Sequence, residues 1–211
     1  MNEKMNDEKD MLGKQPVGKL LLKLALPTVT AQIINMLYNI VDRIYIGHIP
    51  GVGAAALTGV GVCMPLIMIV TAFAAFAGYG GAPRASIAEG AGESEKSERI
   101  MGNCLTMLVI TALVLTVLFE SFAEPLLLMF GASENTIGYA LDYMRIYALG
   151  TIFVQLTLGM NAYITAQGFA TVSMKTVLIG ALLNTALDPL FIFVLGLGVR
   201  GAALATVISQ A

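Results

Sequence analysis

Between residues 54 and 82 the chain runs for 29 residues without a charge. A helix needs about 20 mainly apolar residues to cross roughly 30 Å of hydrocarbon, so this one stretch commits the chain to a bilayer. Other runs have the same character. Residues 24–41 are uncharged and continue through Asp42 towards His48, and residues 100–119 and 146–174 carry no charge either. Residues 176–187 and 189–199 are each too short alone, yet joined through Asp188 they make one span of 24 residues. The last segment, 201–211, would rise only about 16 Å as a helix, so it reads as the start of a sixth span that continues beyond this chain.

These runs lack the period-two alternation of a barrel strand, and an open strand cannot satisfy its backbone in lipid. The expected fold is therefore all-α, a polytopic transmembrane helix bundle of five full spans plus the start of a sixth. The spans fall at about residues 20–48, 54–82, 99–119, 138–162, 175–199 and 201–211, after an amino-terminal tail, 1–19. Composition agrees: 57% of residues are hydrophobic and 12% charged, against about 25% charged in soluble domains. A net charge of −2 lacks the basic footprint of a nucleic-acid binder. Cys63 and Cys104 sit inside apolar runs, where a thiol behaves as a small hydrophobe, and no cofactor is expected.

Orientation follows from the loop charges, because cytoplasmic segments retain Lys and Arg. The tail and first turn carry Lys4, Lys9, Lys14, Lys19 and Lys23; the loop after span two carries Arg84, Lys96 and Arg99; the loop after span four carries Lys175. On the other side only Arg200 occurs, just before span six. The chain is thus expected to be a multi-pass protein of the cell membrane with its amino terminus in the cytoplasm. No apolar core ending in a small-residue cleavage site follows the first residues, so a cleaved signal peptide is not expected. The mixed-charge segment 90–99 reads as a solvated loop or helix end, set against a gating role.

Ionisable side chains near the bilayer centre cost about 2.5 to 3.5 kcal/mol and normally face a cavity or a partner. Asp188 falls near the middle of span five, and Asn184 lies one turn earlier on the same face. Span one carries a polar stripe, Asn35, Tyr38, Asn39 and Asp42, on an otherwise apolar helix. Two carboxylates on different spans can share one proton or one Na⁺. Plainer readings stand beside this: Asp42 as an interfacial residue balanced by Arg43, Asp188 as a helix-helix contact or a break before Pro189, and Asn35 and Asn161 as helix glue. Pro27 is a hinge or a static kink in span one, and Pro65 a kink in span two. Met36, Met64 and Met68 read as adaptable core or as drug-contacting surface. The Gly78, Gly80, Gly81 and Pro83 cluster lacks the Lys-Ser or Lys-Thr and the preceding strand of a phosphate loop.

Four segments carry a family resemblance: ALPTVTAQIINMLYNIVDRIYIGHI in span one, GYGGAPRASIAEGAGESEKSERIMGN around the first cytoplasmic loop, MNAYITAQG after span four, and NTALDPLFIFVLGLGVRGAALATVISQ at the end. Together they resemble the multidrug and toxic compound extrusion (MATE) transporters, especially the bacterial drug exporters, over nearly everything after residue 15. The resemblance implies a twelve-span protein of two six-helix lobes, exporting bulky, often cationic compounds in exchange for Na⁺ or H⁺. This chain would be most of the first lobe, and its partners the bilayer, small-molecule drugs and the missing second lobe. By motif, the family's cation site falls on Asp42, Asn184, Asp188 and Thr206. Tyr38 and Asn161 would line the same lobe, with Asn35 and Met36 as further cavity candidates, and Pro27 matches the family's span-one hinge. Thr206 rests on the resemblance alone.

Two other functions fit the residues less well. A flippase of lipid-linked precursors would want a larger cationic cavity, and the spans hold few basic residues. An intramembrane aspartyl protease would resemble Tyr-Asp and Gly-x-Gly-Asp patterns, whereas the flanks here are Val41-Asp42-Arg43 and Leu187-Asp188-Pro189, so no enzyme is expected.

Overall fold

The computed structural model describes residues 16–211, so most of the expected tail, with Lys4, Lys9 and Lys14, lies outside the described residues. Those described are 87% helical, with no strand among them. The helices are α1 (Val17–Gly47), α2 (Gly53–Gly90), α3 (Ser94–Met129), α4 (Ile137–Leu149), α5 (Thr151–Ala166), α6 (Ala170–Pro189) and α7 (Val199–Gln210), with a π-helical turn, Leu190–Val194, directly after α6. Four helical stretches are long and apolar enough to cross a membrane: α1, α2, α3 and α6 with its π turn. The bent pair α4–α5 makes five if it is one span. The protein is a polytopic membrane bundle.

Small residues place α2 at the centre. Its buried face is mostly Gly and Ala, which lets neighbouring backbones approach in the way membrane helices favour. A Cβ on Gly59 would lie 2.9 Å from the Thr136 carbonyl ahead of α4, and one on Gly78 would lie 2.9 Å from the Gly159 carbonyl of α5. Around this contact Val60, Leu66 and Val70 meet Leu115 and Phe119 of α3 and Met144 of α4 in the main core. Just past the helix end at Gly90, Gly92 has a φ of +79°, the left-handed conformation that stops a helix without a Cβ penalty.

The outer layer is α1 against α6. Of the 31 residues of α1 only Asp42 and Ile46 are buried, and α6 buries only Ala170, Ala181, Asn184 and Asp188. α1 runs through Pro27 as one helix, and α2 runs through Pro65 and Pro83 in the same way.

Four elements depart from the sequence expectation, the first being the span expected over 175–199, which runs from Ala170 to the end of the π turn at Val194. α2 continues past residue 82 through Pro83 and Arg84 to Gly90, and α3 continues past residue 119 to Met129, because the backbone ladder needs no hydrocarbon once it is formed. In α3 the cost appears at Phe122, with φ −124° and ψ 19°. Pro125 cannot donate to the Ser121 carbonyl and its ring crowds that turn. The stretch expected as one span over 138–162 is broken at Gly150, where α4 and α5 meet at a 58° bend. Gly150 is tight against α7, since a side chain there would run into Val207.

Candidate functional site

Asp42 lies one turn before Ile46 on α1, and Asp188 lies at the end of α6 just ahead of Pro189. Their exposures are 7% and 0%, and the two carboxyl groups meet side chain to side chain across the α1–α6 interface. Asn184, one helical turn before Asp188, is also buried, and its Nδ2 donates to Asp188 Oδ1 at 3.3 Å. Arg43 does not pair with Asp42. Its Nη2 donates instead to Met64 Sδ of α2 at 2.7 Å.

The site has too few donors. Asp42 Oδ1, Asp188 Oδ2 and Asn184 Oδ1 are all buried with no hydrogen-bond partner. Buried acceptors without donors are costly, and two carboxylates close together repel by roughly 4 kcal/mol at 4 Å and an effective dielectric of 20. A positive species, either a proton or a small hard cation, would complete such a set. Carboxylate and amide oxygens suit a hard cation, and among the described residues no three His, Cys, Asp or Glu side chains gather as a larger metal cluster would need.

Aromatic hydroxyls surround the pair. Tyr38 of α1 feels the charge of both aspartates, and Gln210 Nε2 at the end of α7 donates to its hydroxyl at 3.5 Å. Tyr143 of α4 is close to Asp42 and to the Thr206 side chain of α7, so Thr206 approaches the site through a tyrosine. Tyr147 stacks on Tyr143 with ring centroids 6.2 Å apart.

The sequence-derived candidates therefore divide. Asp42, Asn184, Asp188 and Tyr38 come together, with Thr206 one step away. Asn35 is half-buried, and its carbonyl accepts the Asn39 amide at 2.7 Å, a contact internal to α1. Met36 is 67% exposed, on a different face from Asp42. Asn161 of α5 accepts a hydrogen bond from Thr176 of α6 at 3.1 Å and joins none of these groups. Pro27 precedes Asp42 by roughly 22 Å of helix. Sequence reasoning missed Tyr143, Tyr147 and Gln210. The spacing of four between the tyrosines puts both on one face of α4, which was a readable signal.

The MatE family model matches residues 27–190. The chain belongs to the MATE family. Among its relatives it is 28% identical over 195 residues to the multidrug export protein MepA of Staphylococcus haemolyticus (strain JCSC1435), a match covering 92% of this chain and 43% of that protein. It is 26% identical over 209 residues to the FAD transporter of Shewanella oneidensis, covering 97% of this chain and 45% of that one. A crystal structure of MATE in complex with MaD3S is similar with a TM-score of 0.87 at 27% identity, covering 95% of this chain and 44% of that chain. The chain thus spans less than half the length of the relatives it matches. In MATE terms it is a single lobe.

Proposed function

We propose that this chain is the cation-binding lobe of a drug-exporting antiporter. The observation that carries the reading is the set of three partnerless acceptor oxygens, from Asp42, Asp188 and Asn184, buried between α1 and α6. The coupling ion, Na⁺ or H⁺, would sit between these oxygens and relieve the repulsion of the two carboxylates. Its loss would set α1 and α6 against each other, and relief by separation is a movement that can be coupled to a substrate. Tyr38 is placed to feel both states. The drug-contacting role of Asn35, Met36 and Asn161, the hinge role of Pro27 and the contribution of Thr206 belong to the same proposal. So do the cell-membrane location and the cytoplasmic amino terminus, which rest on the distribution of Lys and Arg.

Bulky, often cationic drugs are the proposed cargo, because the Staphylococcus relative is a multidrug export protein. The FAD transporter among the relatives widens the chemistry that this lobe could serve. Alternating access by two lobes would require a second lobe alongside this one. The reading is one of transport, not catalysis.

The test is drug efflux from vesicles containing the full-length transporter, with Na⁺ and pH gradients imposed separately. Asp188→Asn is expected to lower gradient-driven efflux at least about tenfold, equivalent to ~1.4 kcal/mol, while membrane insertion is unchanged. Undiminished efflux by that variant would sink the proposal, and the gradient that drives the parent protein names the ion.

A further inference from the structure

A second feature lies far along the bundle from the carboxyl pair, where α2 ends and α3 begins. There the two helices border an open groove of about 800 Å³. One end of the groove is apolar, with Phe76 and Ala77 from α2 and Met107 from α3. At its middle is Gly81, against whose backbone the Cys104 thiol and the Tyr163 hydroxyl rest so closely that a side chain would collide with both. Gly80 beside it has open space where its side chain would be. The other end is charged, with Arg84 and Lys96.

The depth of these groups matters. Arg84 comes just past the uncharged run 54–82, the level at which basic side chains meet lipid headgroups. From Phe76 to Arg84 α2 rises about 12 Å, so the groove has an apolar length and a cationic head. Lys96 is paired with Glu93 at 2.7 Å, whereas Arg84 has no ion pair among the described residues. The rim thus holds two cations against the single carboxylate of Glu93. An occupant must bring a negative head and an apolar tail, and at this depth the surrounding medium supplies one.

We propose that this groove binds one anionic phospholipid, its phosphate at Arg84 and Lys96 and an acyl chain along Phe76, Ala77 and Met107. A zwitterionic lipid would bring an ammonium towards Arg84 and fit less well. The proposal depends on α2 and α3 spanning the membrane and not on the carboxyl site, so failure of either leaves the other standing.

Cys104 in the groove wall is half-buried and Cys63 is fully buried, so one thiol reports on the groove. The chain is reconstituted in nanodiscs of phosphatidylcholine, with or without phosphatidylglycerol, and alkylation of Cys104 by a membrane-permeant maleimide is followed by peptide mass spectrometry. Phosphatidylglycerol is expected to slow alkylation about five-fold, the equivalent of ~1 kcal/mol for one basic side chain at an anionic surface. Arg84→Ala is expected to abolish the slowing and Arg84→Lys to keep most of it. Glycerol phosphate added to phosphatidylcholine nanodiscs is expected to leave the rate unchanged. Equal rates in the two lipids, slowing that survives Arg84→Ala, or equal protection by free glycerol phosphate would each overturn the lipid site.

Discussion

α1 and α2 are both long, both uncharged through the middle and both contain proline, yet they are held in opposite ways. α2 buries a face of glycine and alanine against three neighbours and carries no Asp, Glu, Lys, Arg or His in its buried set. α1 rests mainly on α6, leaves Leu26, Ile33, Met36 and Leu37 more than half exposed, and buries one aliphatic side chain and one carboxyl group. Apolar character therefore does not tell which helix is scaffold. The helix with the polar stripe is the loosely held one, as expected if elements that must move are drawn from the less stable part of a fold.

The contrast can be broken most directly at Ile46. If α1 is held by so little, Ile46→Ala should cost ~2 to 5 kcal/mol of local stability. Amide hydrogen exchange should then rise along α1 and stay low along α2; a uniform rise across both helices would contradict the division. Gly78→Val attacks the other side. Overpacking the α2–α5 contact should cost ~1 to 3 kcal/mol, visible as a lower melting temperature. Melting unchanged from the parent would mean that the close approach of α2 and α5 is unimportant.

Two substitutions are expected to have smaller effects. Asn184→Ala removes the donor to Asp188 and should weaken binding of the coupling cation by about tenfold, or ~1.5 kcal/mol. Direct calorimetric titration of the chain with the cation would read this, and affinity equal to the parent's would show that the amide is not part of the site. In the scaffold, Gln155 donates to the Val70 carbonyl at 3.0 Å while its Oε1 has no partner. Gln155→Leu should change stability by only ~0.6 kcal/mol, because one interhelical bond is exchanged for the loss of an orphaned acceptor. A change several times larger would make that glutamine a fastening of α2 to α5 in its own right.

The membrane-spanning character and the all-helical class were legible because lipid permits few backbone solutions, and uncharged runs report them directly. The polar stripe of α1 and the Asn184–Asp188 spacing were legible for a similar reason, since a costly group in an apolar run stands out. What could not be read is what depends on neighbours. The ends of α2 and α3 lie past the uncharged runs 54–82 and 100–119, where hydropathy carries no signal. The bend at Gly150 depends on Val207, 57 positions later in the sequence. Tyr143 nears Asp42 and Thr206 only through the packing of α4 against its neighbours. Asp42 and Arg43, adjacent in sequence, point to different helices, and only packing separates them.

The nesting of Gly150 against Val207 has a mechanical corollary. Val207 of α7 occupies the space that a Gly150 side chain would need, so the joint and α7 share one close contact. α7 is also clipped to α5 by the Thr157 hydroxyl on the Gln210 carbonyl at 2.8 Å, while the Gln210 side chain reaches Tyr38. The short helix α7 thus touches both the α4–α5 elbow and Tyr38 beside the carboxyl pair.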